Sequence, residues 1–174
     1  MSKLHPQTLA IRASKEQTPF NEHQQALFLT SSFMADSAAD AAAIFAKTKE
    51  GYTYSRTANP TIAAFQKRIA ALENAEAGIA TATGMAAIQA ALLTFLSAGG
   101  HLVSSRSLFG TTAGLLSGHI ARFGIEITFV SQTDVSEWEK AIRPNTKMLF
   151  LETPSNPLNE VADLEKLAKL AHDN

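Results

Sequence analysis

From residue 60 onward the apolar positions of this chain alternate between two periods, and the alternation predicts its elements. Ile62, Phe65, Ile69 and Leu72 fall on one face of a helix started by Asn59 and Pro60, a cap followed by proline at the first helical position. After a turn at 74–78, the run from Gly78 to Ala82 predicts a short buried strand that turns at Gly84 into a helix reaching about Leu96. That helix carries Ala or larger apolar residues almost all round, so burial on both sides is expected. Gly99 and Gly100 end it; then come a strand at His101–Ser104, a helix from about Thr111 to Phe123 stopped by Gly124, and a strand at Ile125–Val130. Asp134 caps a helix to about Ile142, Pro144 closes it, and Lys147–Leu151 is a fourth strand. A last helix from Asp163 turns Leu164, Leu167, Leu170 and Ala171 inward, with Glu165 and Lys169 one turn apart as a solvated pair.

Before residue 60 the pattern is looser. Residues 1 to about 35 mix Pro6 and Pro19 with short apolar groups such as Leu27–Leu29 and Phe33-Met34, which predicts an extended arm whose apolar content is buried on its own domain or on another subunit. Ser37 with Asp40 starts a short Ala-rich helix to Lys47, and the stretch Gly51–Asn59 is a polar, aromatic loop. The domain boundaries expected are therefore an arm with its short helix at 1–50 and a larger α/β domain from 51 to 174.

Strands alternating with helices predict a parallel sheet with helices packed on it, and such sheets collect ligands at the carboxyl ends of their strands. Thr83-Gly84-Met85, Ser107–Gly110, Gln132–Asp134 and Thr153–Asn156 all follow strand ends, so four polar loops converge on one edge. Gly84 fits two readings, a tight strand-to-helix turn or a seat for phosphate on the free amides at the helix head, with hydroxyls of Thr81 and Thr83 beside it. The polar loops at the other three strand ends favour the seat.

Composition narrows the function classes. The chain has 174 residues, is 45% apolar and carries a formal charge of −1 with scattered Lys and Arg, which gives nucleic acid no electrostatic footprint. It has no cysteine, which removes disulfides, thiolate catalysis and cysteine zinc sites, and its five histidines show no ligand spacing, so no metal site is expected. Neither a signal peptide nor a membrane anchor is read after Lys3, which makes the cytoplasm the default. Trp138, on a helix, is expected to be a packing residue.

With these motifs in view, the sequence resembles the Cys/Met-metabolism family of pyridoxal-phosphate enzymes, fold type I, and within it most of all the sulfhydrylases that act on O-succinylhomoserine. The resemblance runs from about Pro6 to Asn174 and rests on Tyr54–Thr61, Ala82–Ile88, Ser105–Thr112 and Glu152–Pro157 in this order and spacing. It implies the first part of a fold type I large domain, a parallel or mixed sheet flanked by helices and preceded by an arm. It also implies pyridoxal 5'-phosphate as cofactor, with Thr83, Gly84 and Met85 at its phosphate, Phe109 stacked on its ring, Asn156 on the ring 3'-oxygen and Glu152 supporting the site. Phe109 stands where the lyases and cystathionine γ-synthase usually carry Tyr, so a phenol proton donor is lost. Tyr54, the one catalytic candidate, and Arg56 would reach the cofactor of the neighbouring subunit in a homotetramer, where an Arg fork matches phosphate.

The same resemblance implies a Schiff-base lysine, an aspartate at the pyridine nitrogen and an arginine for the substrate carboxylate, all expected beyond Asn174. Lys47 and Lys49 precede the polar loop, Lys140, Lys166 and Lys169 belong to helix surfaces, and Lys147 opens a strand at the end opposite the site, so the 174-residue chain is expected to be inactive alone and to be the front part of a longer protein. The activity implied for the complete protein is γ-replacement on O-succinylhomoserine or O-acetylhomoserine with sulfide, giving homocysteine for methionine biosynthesis. Cystathionine γ-synthase or methionine γ-lyase chemistry is the alternative within the family. A non-catalytic interaction fragment is the alternative outside it, and a nucleotide-binding protein fits less well because glycine-rich phosphate loops are lacking.

Overall fold

The computed structural model describes residues 4–14 and 18–174; the parts of the expected arm at 1–3 and 15–17 lie outside the described residues. The chain divides into two compact units, 1–80 and 81–174, each taken by itself below.

In the first unit, helix α1 (Pro6–Arg12) interrupts the arm that was expected to be extended, and α2 (Ala38–Phe45) and α3 (Pro60–Leu72) follow the predicted caps. The Ser37 hydroxyl accepts from the Asp40 amide at 3.0 Å and donates to its carboxylate at 2.9 Å. Asn59 accepts from the Thr61 amide at 2.8 Å while its Nδ2 donates to the Phe28 carbonyl at 3.0 Å, so one buried side chain starts α3 and ties the arm to it. The arm backbone also pairs antiparallel with the aromatic loop, Phe33 N donating to Thr53 O at 3.0 Å and Ser55 N to Ser31 O at 2.8 Å. Phe28 and Phe33 are half-buried, but Leu29 and Met34 remain open, at 93% and 99% exposure.

The second unit is a three-layer α/β sandwich. Strands β1 (His101–Ser105), β2 (Glu126–Val130) and β3 (Thr146–Phe150) form a parallel sheet in the order β2-β1-β3, with every residue of the central β1 buried. Side chains alternate across it. On one face Leu102, Ile127, Phe129, Met148 and Phe150 meet Leu92 and Leu96 of helix α4 (Gly84–Phe95) and its end, with Leu116 and Ile120. On the other, Val103, Val130 and Leu149 meet Trp138 of α6 (Val135–Ala141) and Leu167 of α7 (Leu164–Asp173). The helix expected over 111–123 is continuous from Gly110 but not uniform: α5 (Gly110–Gly114) passes into a wider π turn at Leu115–Ile120 and a tight 3-10 turn at Ala121–Phe123. Gly124 ends it at φ 76°, a left-handed position open to glycine.

Three further expectations fail. Residues 78–82 form no strand and Ile79 is 88% exposed: the sheet is completed by β1, β2 and β3 alone, and without a ladder partner a strand-like composition leaves its backbone groups to water. Helix α4 is buried on one side only, Leu92 fully and Phe95 64% exposed, since no element of its own unit covers the outer face. Lys169 pairs with Asp173 at 2.6 Å, not with Glu165; exposed side chains on a terminal turn choose among several carboxylates at little cost.

Candidate functional site

Helix α4 returns antiparallel to β1 through the short connection 97–100. Its 12 residues rise about 18 Å and the five of β1 about 17 Å, so the head of α4 lies level with the carboxyl end of the sheet. Thr83 caps that head, its hydroxyl accepting from the Ala86 amide at 3.1 Å and its carbonyl from the Ala87 amide at 3.1 Å. The Gly84 and Met85 amides precede the first intrahelical bond and have no acceptor among the described residues. A Cβ built on Gly84 meets nothing within 4 Å. The approach to these donors is open, with the positive end of the helix dipole behind them. Thr81 is not a further donor here, because its hydroxyl is spent on the Thr83 carbonyl at 2.8 Å.

The loops after β1 and β3 meet at the same edge. The Glu152 carboxylate, two residues past the end of β3, accepts from the Phe109 amide at 3.0 Å and so anchors the backbone at the start of α5. The Phe109 ring is about half exposed. Asn156 follows within the loop 153–159, where both the Thr153-Pro154 and Asn156-Pro157 bonds are cis. With Pro157 and Leu158 it faces Arg106, Ser107 and Leu108 across a cleft of about 470 Å³. Ser155 is buried instead, bonding Glu160 through both backbone and hydroxyl.

Gln132, read from the sequence as part of a polar rim, is buried, and Asp134 does the work of a helix cap, held ionised below the usual carboxylate range by its hydrogen bonds to Ser136. Glu160, which no motif marked, proves to be the residue on which several loops converge; only its contacts with Ser107, Gln132 and Ser155 reveal it.

In the first unit Tyr54 and Arg56 stand in the aromatic loop, both exposed, with the Arg56 guanidinium 4.6 Å from the centre of the Tyr54 ring. The loop is held by Ser55, whose hydroxyl donates to Thr30 O at 2.5 Å and accepts from Asn59 Nδ2 at 2.9 Å. The same unit has a roomier cleft of about 640 Å³ lined by Lys47, Lys49 and Lys67, where Lys49 is already paired with Asp40 at 2.5 Å. No group of three or more His, Asp or Glu gathers among the described residues, and no described helix is long and apolar enough to cross a membrane.

The second unit therefore offers open amide donors at a helix head for an anionic tail, and at the same sheet edge a half-exposed aromatic ring and an exposed amide side chain for a flat polar ring. Those features fit pyridoxal phosphate. None of the unit's lysines stands at this edge: Lys147 is near the start of β3, Lys140 on α6, and Lys166 and Lys169 are paired with carboxylates on α7.

Comparison with known proteins agrees with that fit. The chain is 50% identical over 165 residues to an O-succinylhomoserine sulfhydrylase of Pseudomonas aeruginosa, covering 95% of this chain and 41% of that protein. It is 42% identical to an L-methionine γ-lyase of Fusobacterium nucleatum, over 96% of this chain and 42% of the relative, so it spans about two fifths of the curated relatives it matches. Among solved structures it superimposes with a TM-score of 0.91, at 32% identity and over 98% of its length and 42% of the other chain, on a putative O-acetylhomoserine (thiol)-lyase of Campylobacter jejuni that holds N'-pyridoxyl-lysine-5'-monophosphate. The model of the Cys/Met metabolism PLP-dependent enzymes matches residues 7–174, and the chain belongs to that family.

Proposed function

We infer that the complete protein catalyses γ-replacement on O-succinylhomoserine, or O-acetylhomoserine, with sulfide as the nucleophile and homocysteine as product. The observation that carries the reading is the 50% identity to an O-succinylhomoserine sulfhydrylase along nearly the whole chain; the open helix head beside Phe109 and Asn156 supports the cofactor's place in it. Pyridoxal phosphate, when bound, supplies the electron sink for removing protons next to the substrate's amine-bearing carbon.

The chain's own residues bind and orient. The Gly84 and Met85 amides hold the phosphate, with the Thr83 hydroxyl beside them, and the helix dipole favours its charge. Phe109 covers one face of the ring, and Glu152 fixes the backbone from which that ring projects. Asn156 donates to the ring 3'-oxygen. Tyr54 and Arg56 serve the site of a neighbouring subunit, where their stacked arrangement presents a phenol and a guanidinium together. The lysine that carries the cofactor is none of those in residues 81–174, which leaves this stretch without activity by itself. The assembly is a homo-oligomer working on small molecules in the cytoplasm.

A second reading, γ-elimination, draws on the 42% identity to an L-methionine γ-lyase. Incubating the complete protein with O-succinylhomoserine and either sulfide or cysteine, and separately with methionine and no added thiol, separates these readings. Homocysteine formed from sulfide is expected; cystathionine formed in preference from cysteine, or 2-oxobutyrate released from methionine without added thiol, overturns the sulfhydrylase reading.

A further inference from the structure

The three loops that leave the carboxyl ends of β1, β2 and β3 are joined by a closed ring of hydrogen bonds. Ser105 Oγ donates to Gln132 Oε1 at 2.9 Å, and Gln132 Nε2 donates to the Glu160 carbonyl at 2.7 Å. Ser107 Oγ donates to the Glu160 carboxylate at 2.5 Å, and the Ser107 amide closes the ring on Ser105 Oγ at 2.9 Å. Ser155 is attached to it, its hydroxyl accepting from the Glu160 amide at 3.0 Å and its own amide donating to the Glu160 carbonyl at 3.0 Å. Ser105, Gln132 and Ser155 are at most 2% exposed.

A buried amide that satisfies both ends in this way resists displacement, because breaking either bond strands a polar group away from water. The ring includes Ser107, two residues before Phe109, and through Glu160 it holds Ser155, the residue before Asn156. The geometry points to Gln132 and Glu160 as positioning residues: their ring sets the spacing between the loop bearing Phe109 and the loop bearing Glu152 and Asn156, and thereby the grip on the cofactor. This rests on the proposed placement of Phe109 and Asn156.

The test uses the complete protein, stripped of cofactor and titrated with pyridoxal 5'-phosphate, with visible circular dichroism of the bound cofactor and the melting temperature of the cofactor-free form read in parallel. Glu160→Ala and Gln132→Met are expected to weaken binding about tenfold and to alter the visible dichroism, while Glu160→Gln, which keeps an acceptor for Ser107, stays within about twofold of the parent. Because Gln132→Met removes a buried group, the half-buried Glu160 pair carries the comparison should the former fold poorly. A lowered melting temperature with unchanged affinity and dichroism overturns the proposal, as does Glu160→Gln failing as badly as Glu160→Ala. Asn156→Ala in the same titration separates the two levels: weakened there while the ring variants bind normally, only the ring's role falls; unchanged there, the site assignment falls and the ring's role with it.

Discussion

Gly84 and His101 mark the two ends of the second unit's sheet and make opposite demands on their surroundings. At Gly84 a methyl group has room, since nothing lies within 4 Å of a built Cβ, and alanine is the better helix former. Gly84→Ala in the complete protein is therefore expected to leave the cofactor-free melting temperature unchanged or slightly raised while weakening pyridoxal phosphate severalfold. Equal affinity would return Gly84 to the status of a tight turn. His101 is fully buried at the amino end, its ring nitrogens joined to Thr146 Oγ1 at 2.8 Å and Thr128 Oγ1 at 2.9 Å. Burial first, and then the Arg143 charge, hold its pKa below the ordinary 6.5. The folded state thus resists a proton that the unfolded chain accepts, so His101's contribution is whole above about 6.5 and is lost as the pH falls toward the lowered value. Melting temperatures followed from pH 7.5 to 5.5 should drop, and the drop should shrink in His101→Gln.

Elements that carry their own signals were legible in the sequence. The Asn59-Pro60 and Ser37/Asp40 starts, the Asp134 cap and the Gly124 stop depend on bonds within a few residues, and each is present as the pattern implied. Asn59→Ala should cost about 1–2 kcal/mol in urea unfolding, toward the upper end for a cap because the bond from Nδ2 to the Phe28 carbonyl goes with it. A loss below about 0.3 kcal/mol would mean that the arm is held elsewhere. What the pattern could not supply was partnership. Residues 78–82 have a strand's composition, but a strand exists only against a neighbour, and the outer face of α4 is apolar without being covered. The π turn at Leu115–Ile120 leaves the apolar period almost intact, so a periodicity reading passes straight over it.

At the scale of the whole molecule the proposed function makes a demand that one chain cannot meet: Arg56 of one subunit and Asn156 of another complete the same site. If so, Arg56→Ala and Asn156→Ala, each impaired alone, should regain about a quarter of the parent activity when co-assembled, since half of the random pairs contain one intact site. No recovery on mixing would place both residues in one subunit's site. The α/β alternation, the loops that follow β1 and β3 and the four motifs were readable from the residues, because periodicity, capping chemistry and local spacing are properties of neighbours in the chain. The sheet order β2-β1-β3, the burial of Gln132 and the emergence of Glu160 as the link between three loops were decided only by folding. These depend on hydrogen bonds between residues 25 or more positions apart, and no local pattern encodes which distant donor a given acceptor will meet.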